Sequence, residues 1–141
     1  MVQLSDFLPS EPGLLPKWLA VVAAISVANT ISAYTSPDYT KQLYIGSSST
    51  NNQSPVNDLC SRLFATWTFT SAIVRGYAAY NIRNPAVYDL AMWTYGIALV
   101  HFVAELVAFR SARFKGRFVF PLLVASSSFI WMATQRGWYL D

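Results

Sequence analysis

Charged residues are scarce in this chain of 141 residues. Only 12% of its side chains are Asp, Glu, Lys or Arg, whereas roughly 25% is usual in a soluble domain, and 54% are hydrophobic. A soluble fold of this length needs more polar side chains to cover its surface. We therefore expect an integral membrane protein whose main solvent is lipid.

Cysteine and histidine are almost absent, since Cys60 and His101 are the single representatives of their types. These counts exclude a disulfide within the chain, a zinc site of Cys and His, and the histidine clusters of membrane di-iron oxygenases. The spacing of the six glycines matches no phosphate-binding motif. The net charge is +3, and the basic residues are too scattered along the chain for a nucleic-acid interface. The sequence therefore predicts no cofactor, no metal and no nucleic-acid partner, with Cys60 as an ordinary free thiol.

Four apolar stretches are each long enough to cross about 30 Å of hydrocarbon as an α-helix. They lie at about residues 17–35, 62–80, 86–109 and 118–135. An irregular arm (1–16) precedes them, and a polar loop (36–61), a short turn (81–85) and a basic loop (110–117) join them. The predicted fold is an all-α membrane protein, a four-transmembrane-helix bundle forming one polytopic domain (1–141). A signal peptide is the alternative for the first stretch, although the acids and prolines before it are atypical.

The distribution of Lys and Arg predicts how these spans are oriented. Three of them lie on the side of the termini and the 81–85 turn, against six on the side of the polar and basic loops. By the positive-inside rule both loops face the cytosol and both termini face the lumen. The sequon Asn52-Gln53-Ser54 is then expected to stay unglycosylated.

Small residues recur at four-residue spacing in two of the spans, which is typical of close helix packing in lipid. They are Ala20, Ala24, Ala28 and Ser32 in the first span, and Thr68, Ala72 and Gly76 in the second. The pattern leaves open whether the partner helix belongs to this chain, to a second copy in a homo-oligomer or to another protein.

Ionisable residues inside the spans need partners, because a charge at the centre of a membrane helix costs about 2.5–3.5 kcal/mol on insertion scales. In a hairpin that turns near residue 83, Arg75 and Asp89 lie at similar depth, and so do Arg62 and Glu105. We interpret these two combinations as ion pairs that join the second and third spans.

His101 and Glu105 support an alternative role for the same region. They are four residues apart on one helical face, so the carboxylate can orient the imidazole. Such a pair can act as acid and base in a membrane isomerase, or move protons in a small proton-coupled carrier. Asn29 in the first span is a further candidate for a polar contact between helices.

Several of these segments together resemble the ergosterol biosynthetic protein 28 family. The most specific are the spacing of Arg62, Trp67, Thr68 and Arg75 in one helix and HFVAE at residues 101–105 in the next. The resemblance covers residues 62–109 and includes ANTISAY (28–34), QLYIG (42–46) and FPLLVASSSFIWM (120–132). It therefore extends over most of the chain.

The resemblance implies a multi-pass protein of the endoplasmic reticulum membrane that is not an enzyme. Members are thought to tether three enzymes: the sterol C-4 methyl oxidase, the NAD-dependent C-4 decarboxylating sterol dehydrogenase and the 3-keto sterol reductase. The family supplies no catalytic, cofactor-binding or metal residues to carry over. A non-catalytic scaffold in sterol biosynthesis is thus the favoured function, and a sterol-modifying enzyme or a proton-coupled carrier using His101 and Glu105 is the alternative.

Overall fold

A computed structural model describes residues 1–46 and 54–141, and the regular structure in these ranges is entirely helical. The five α-helices are α1 (Leu15–Thr35), α2 (Asp38–Leu43), α3 (Asp58–Tyr80), α4 (Pro85–Val107) and α5 (Val119–Leu140). Short 3-10 turns lie at Leu4–Phe7 and Gly116–Phe118. The predicted all-α fold is confirmed for the described residues. The first two residues of the sequon Asn52-Gln53-Ser54 lie outside them.

The turn between α3 and α4 follows directly from its sequence. Asn84 caps α4, because its side chain accepts hydrogen bonds from the backbone N–H groups of Ala86 and Val87. Pro85 occupies the first helical position, where its missing N–H costs nothing. A proline at this point cannot continue the preceding helix, so α3 ends at Tyr80 and the chain reverses within four residues.

The predicted polar loop at 36–61 contains more structure than expected. Asn57 accepts a hydrogen bond from the Cys60 N–H, which starts α3 four residues before the predicted boundary. The short helix α2 was missed because tertiary contacts stabilise it. Thr40 Oγ1 lies 2.9 Å from Ser61 Oγ, which itself donates to the Ala33 carbonyl at 2.7 Å, so α2 and α3 are fixed to the end of α1.

Three helical segments are long and apolar enough to cross a membrane: Leu15–Thr35, Pro85–Val107 and Gly116–Leu140. The second predicted span, α3, has 23 residues but does not meet this criterion, so the count of four is not confirmed. Its polar side chains lower its mean hydropathy. They are Asp58, Ser61, Arg62, Thr66, Thr68, Thr70, Ser71 and Arg75.

The helices pack as two pairs: α3 packs mainly on α1, and α4 mainly on α5. The α3–α4 hairpin joins the pairs through looser contacts. One apolar core, which includes Leu19, Tyr88 and Met132, lies near the start of α1 and the end of α5. A second, around Phe102 and Phe118, lies near α2.

Large apolar side chains cover much of the outer surface. On α4 alone, Leu90, Trp93, Ile97 and Val100 are all more than half exposed. Apolar surface this extensive is unusual for a soluble monomer and is what lipid or partner helices require.

The small residues of α3 face another helix of this chain, whereas those of α1 face mainly outward, where a partner helix of another chain remains a prediction. Ala72 is buried, and Gly76 faces the Cβ of Ala23 across the α1–α3 contact. On α1, however, Ala24, Ala28 and Ser32 are exposed, and Ala20 is only partly buried. The buried face of α1 is displaced because larger side chains there, such as Leu19 and Val22, bury more apolar area.

Tyr88 provides a test of the α4–α5 contact. Its side chain is fully buried, and its hydroxyl donates to the Met132 carbonyl at 2.5 Å. Removing this hydrogen bond with Tyr88→Phe should destabilise the protein by about 1 kcal/mol. Thermal unfolding of the purified protein in detergent measures the effect. Tyr77→Phe, on an exposed tyrosine, is the matched control, and equal melting temperatures for both variants would contradict the assignment.

Candidate functional site

The predicted ion pair between Arg75 and Asp89 is wrong. Arg75 Nε donates to Thr94 Oγ1 at 3.0 Å, and the guanidinium carbon lies 4.0 Å from the centre of the Tyr95 ring. Asp89 instead accepts two hydrogen bonds of 2.9 Å from Arg136 on α5. Residues at equal distance from a hairpin turn lie at similar depth in the bundle. Asp89 nevertheless faces α5, the helix on which α4 mainly packs.

The predicted ion pair between Arg62 and Glu105 is also wrong. Arg62 is exposed and lies on the outer surface of α3. Glu105 accepts a hydrogen bond from Ser111, and its other carboxylate oxygen lies 3.9 Å from His101 Nδ1. Equal distance from a turn does not by itself place two side chains on facing surfaces.

A cavity of about 420 Å³ lies between the two helix pairs. Its volume is within the range of ~300–1,000 Å³ that is typical of small-molecule sites. Residues of α1, α2, α3, α4 and α5 line it, together with Arg117 before α5. Most of the wall is apolar and includes Val22, Phe102, Pro121 and Val124.

A row of polar side chains follows one side of this cavity. Ser26 and Asn29 come from α1, and Thr68 and Ser71 come from α3. None of these four side chains forms a hydrogen bond with the described residues. Asn29 therefore does not bridge helices as predicted, and it lines the cavity instead.

Two further polar groups lie where the cavity meets α4. Arg75 is buried, with a relative accessibility of 8%, and its Nη1 group has no acceptor among the described residues. The Tyr95 hydroxyl is fully buried and makes no hydrogen bond of normal geometry there, although Ser128 lies nearby. Ser128 Oγ accepts a hydrogen bond from Trp18 Nε1 at 2.9 Å.

The charge in the cavity is of one sign. Arg75 and Arg117 line it, and no Asp or Glu is among the described residues of its wall. A buried cation without a counter-ion is costly, so Arg75 is a candidate functional residue.

The cavity opens sideways, between α1 and α5. These two helices are not closely packed along their length, and Ile25 and Phe120 at this mouth are exposed. At the end near the chain termini, Trp18 closes the gap through its bond to Ser128 and its ring contact with Trp131. Exposed apolar side chains therefore border the opening of the cavity.

A second polar cluster surrounds His101, on the other side of the cavity wall. Tyr44 Oη lies 2.7 Å from His101 Nε2, and the Trp67 and Phe102 rings lie 5.2 and 5.3 Å from the imidazole. Burial, and then the Glu105 carboxylate, raise the pKa of Tyr44, so its phenol stays protonated. In the tautomer that carries the imidazole proton on Nδ1, the phenol donates to Nε2 and the Nδ1–H group faces Glu105.

Sequence reasoning predicted the proximity of His101 and Glu105 but missed Tyr44. The resemblance includes QLYIG at 42–46, yet its tyrosine reaches His101 only through a contact across 57 residues of chain. His101 and Glu105 do not line the cavity. Within 1–46 and 54–141, no three His, Cys, Asp or Glu side chains are grouped so as to hold a metal ion.

A family model described as Erg28 like protein matches residues 15–130. The chain belongs to this family. Ergosterol biosynthetic protein 28 of Gibberella zeae is 36% identical over 168 residues, which include 100% of this chain and 99% of the relative. The Schizosaccharomyces pombe protein of the same name is 37% identical over 137 residues (97% and 95%), and the Saccharomyces cerevisiae protein is 36% identical over 128 residues (90% and 83%).

The Erg28-like match includes every residue that lines the cavity and also His101 and Glu105. Both polar clusters therefore lie within the part of the chain that defines the family. No solved structure matches the chain.

The raised pKa of Tyr44 predicts a loss of stability at alkaline pH. Its ordinary pKa of 10.0 applies to the unfolded chain, so the folded state retains the proton to higher pH. This contribution to stability is complete below pH 10 and is lost as the pH rises above it. Tyr44→Phe removes the titrating group, so above pH 10 its melting temperature should fall less steeply than that of the unmodified protein. Parallel pH profiles would contradict the burial of Tyr44.

Proposed function

We propose that this protein is a non-catalytic scaffold of ergosterol biosynthesis in the endoplasmic reticulum membrane. In this role it tethers the sterol C-4 methyl oxidase, the NAD-dependent C-4 decarboxylating sterol dehydrogenase and the 3-keto sterol reductase. The observation that carries the proposal is membership of the Erg28-like family, with relatives named for ergosterol biosynthesis that align over 90–100% of the chain. The exposed apolar faces of the long helices are suited to hold other membrane proteins.

Tethering has a physical advantage when intermediates are poorly soluble sterols. Enzymes held side by side present each active site at a high effective concentration to the product of the previous one. A scaffold needs outward-facing contact surface, and α4 offers a continuous one in Leu90, Trp93, Ile97 and Val100.

We further propose that α3 crosses the bilayer as a fourth span. With 23 residues it rises roughly 35 Å, which is enough to cross the hydrocarbon. The arm before α1 meets the turn after α3, since Arg83 Nε lies 2.7 Å from Glu11 and Tyr80 Oη donates to the Phe7 carbonyl. The start of α1 and the end of α3 are thus at the same end of the bundle, so α3 runs antiparallel to α1 along its length.

The polar side chains of α3 are compatible with that position. Ser61, Ser71 and Arg75 are buried against other helices or in the cavity. Thr66 and Thr70 donate to backbone carbonyls one turn earlier, at 3.0 Å each. Hydrogen bonds of this kind reduce the free-energy cost of placing a helix of low mean hydropathy in the bilayer.

The topology can be tested by labelling single cysteines with a maleimide that does not cross membranes. In a Cys60→Ser background, Ser10→Cys and Ala86→Cys should be labelled from the same side, and Lys115→Cys from the opposite side. All three native residues are exposed. If α3 does not span, Ser10→Cys and Ala86→Cys will be labelled from opposite sides. Labelling of Lys115→Cys in sealed microsomes, whose outer face is cytosolic, also checks the orientation.

Purification from native membranes tests the scaffold itself. The tagged protein, extracted in mild detergent, should carry the three sterol enzymes in amounts that mass spectrometry detects well above those in an unrelated tagged membrane protein. The double variant His101→Ala and Glu105→Ala should recover them equally, because both side chains are partly buried and form their hydrogen bonds within the chain, to Tyr44 and Ser111. Absence of all three enzymes would contradict the proposal.

The hydrogen-bonded arrangement of Tyr44, His101 and Glu105 favours one alternative, an intramembrane sterol-modifying enzyme or proton-coupled carrier. An enzyme would convert a sterol as purified protein, and a carrier would move protons across liposomes. Either activity should disappear with His101→Ala, whereas a scaffold shows neither activity before substitution.

A further inference from the structure

We propose that the cavity between the helix pairs is a binding site for a sterol that carries a carboxylate, with Arg75 as its counter-ion. The sterol part of this proposal rests on the proposed function, whereas the carboxylate part rests on the cavity alone.

The Arg75 guanidinium has hydrogen-bonding capacity left for a ligand. Its Nε donates to Thr94 Oγ1 at 3.0 Å, and Nη2 makes only a long contact of 3.5 Å with the Thr94 carbonyl. Nη1 is left without an acceptor among the described residues, at a point where the side chain lines the cavity. Two adjacent guanidinium nitrogens match the two oxygens of a carboxylate, which is the strongest common partner of arginine.

The remaining polar groups agree with an oxygen-bearing ligand. The Tyr95 ring lies under the Arg75 guanidinium, 4.0 Å from its carbon atom, and helps to hold the cation at the cavity wall. The side chains of Ser26, Asn29, Thr68 and Ser71 also line the cavity without hydrogen bonds to the described residues. Unpaired polar groups in a membrane-spanning region are costly, and a ligand with oxygen atoms at one end removes that cost.

The positive charge of the cavity wall favours an acidic ligand over an amine. Arg75 and Arg117 both line the cavity, and no carboxylate of the described residues does, so a cationic ligand would be repelled. A neutral sterol can fill the apolar part, but it leaves the Arg75 charge uncompensated. An anion gains the full electrostatic interaction in surroundings of low dielectric constant.

The apolar lining and the position of the mouth are consistent with a sterol. The volume of about 420 Å³ is lined by broad apolar and aromatic surfaces, including Phe64, Trp67 and Phe102. Its mouth between Ile25 and Phe120 opens toward lipid, from which a sterol would enter. Removal of a methyl group by an oxidase and then a decarboxylating dehydrogenase passes through a carboxylic acid. The cavity could therefore retain the product of the first enzyme for the second.

Direct binding to the full-length protein in lipid nanodiscs tests the proposal. The probes are a radiolabelled sterol with a carboxylate at C-4, its methyl ester, and oleic acid. We expect the sterol acid to bind about tenfold more tightly than the ester, at the lower end of the range for hydrogen bonds to charged groups. Equal affinities for acid and ester would overturn the role of Arg75, and equal binding of oleic acid would overturn the assignment to sterols.

Two matched variants assign the effect to the cavity. Arg75→Gln keeps a hydrogen-bond donor but removes the charge, and should abolish the preference for the acid. Arg62→Gln makes the same change at an exposed position of the same helix and should retain it. An unchanged preference in Arg75→Gln would refute the site. The comparison of acid with ester on the unmodified protein remains decisive if Arg75→Gln does not fold.

The two proposals fail separately. Recovery of the three enzymes without acid-selective binding would leave the scaffold intact and remove the ligand site. Acid-selective binding without the enzymes would retain the site and remove the scaffold.

Discussion

The division of the long helices into two closely packed pairs determines the rest of this structure. Because α1 packs on α3 and α4 packs on α5, the contact between the pairs is incomplete, and the space left between them is the cavity. The same pairing directs Asp89 to Arg136 on α5 and leaves Arg75 facing the gap. If all neighbouring helices packed equally closely, Arg75 would be enclosed by protein. A carboxylate of the protein would then be needed to neutralise its charge.

The helices were predictable from the sequence because lipid allows few alternatives. A backbone in hydrocarbon must satisfy its own hydrogen bonds, so long apolar stretches form helices, and residues such as Asn84 and Pro85 mark where a helix begins. What could not be predicted was the angular position of each side chain. Arg75 and Asp89 lie at similar depth, yet they point to different neighbours, and single-sequence patterns carry no information on which helices become partners.

The sequence predicted several polar residues of the candidate site, but not their positions relative to one another. Arg75, Asn29, His101 and Glu105 were all recognised as polar groups that need an explanation, but they were assigned to helix pairing or to one acid–base pair. The structure separates them into two clusters, with the Trp67 and Phe102 side chains at the boundary. Tyr44 and Tyr95 could not be found in advance, because an aromatic residue in an apolar segment has no distinctive signal until its hydroxyl is seen to have, or to lack, a partner.

The hydrogen bond between Trp18 and Ser128 bears on the order in which the helices can assemble during translation. The two residues are 110 positions apart, and they close one end of the space between α1 and α5. During translation α1 can associate with α3 before α5 has been made, whereas its contact with Ser128 has to wait for α5. The side of the cavity between α1 and α5 is therefore formed after the α1–α3 pair.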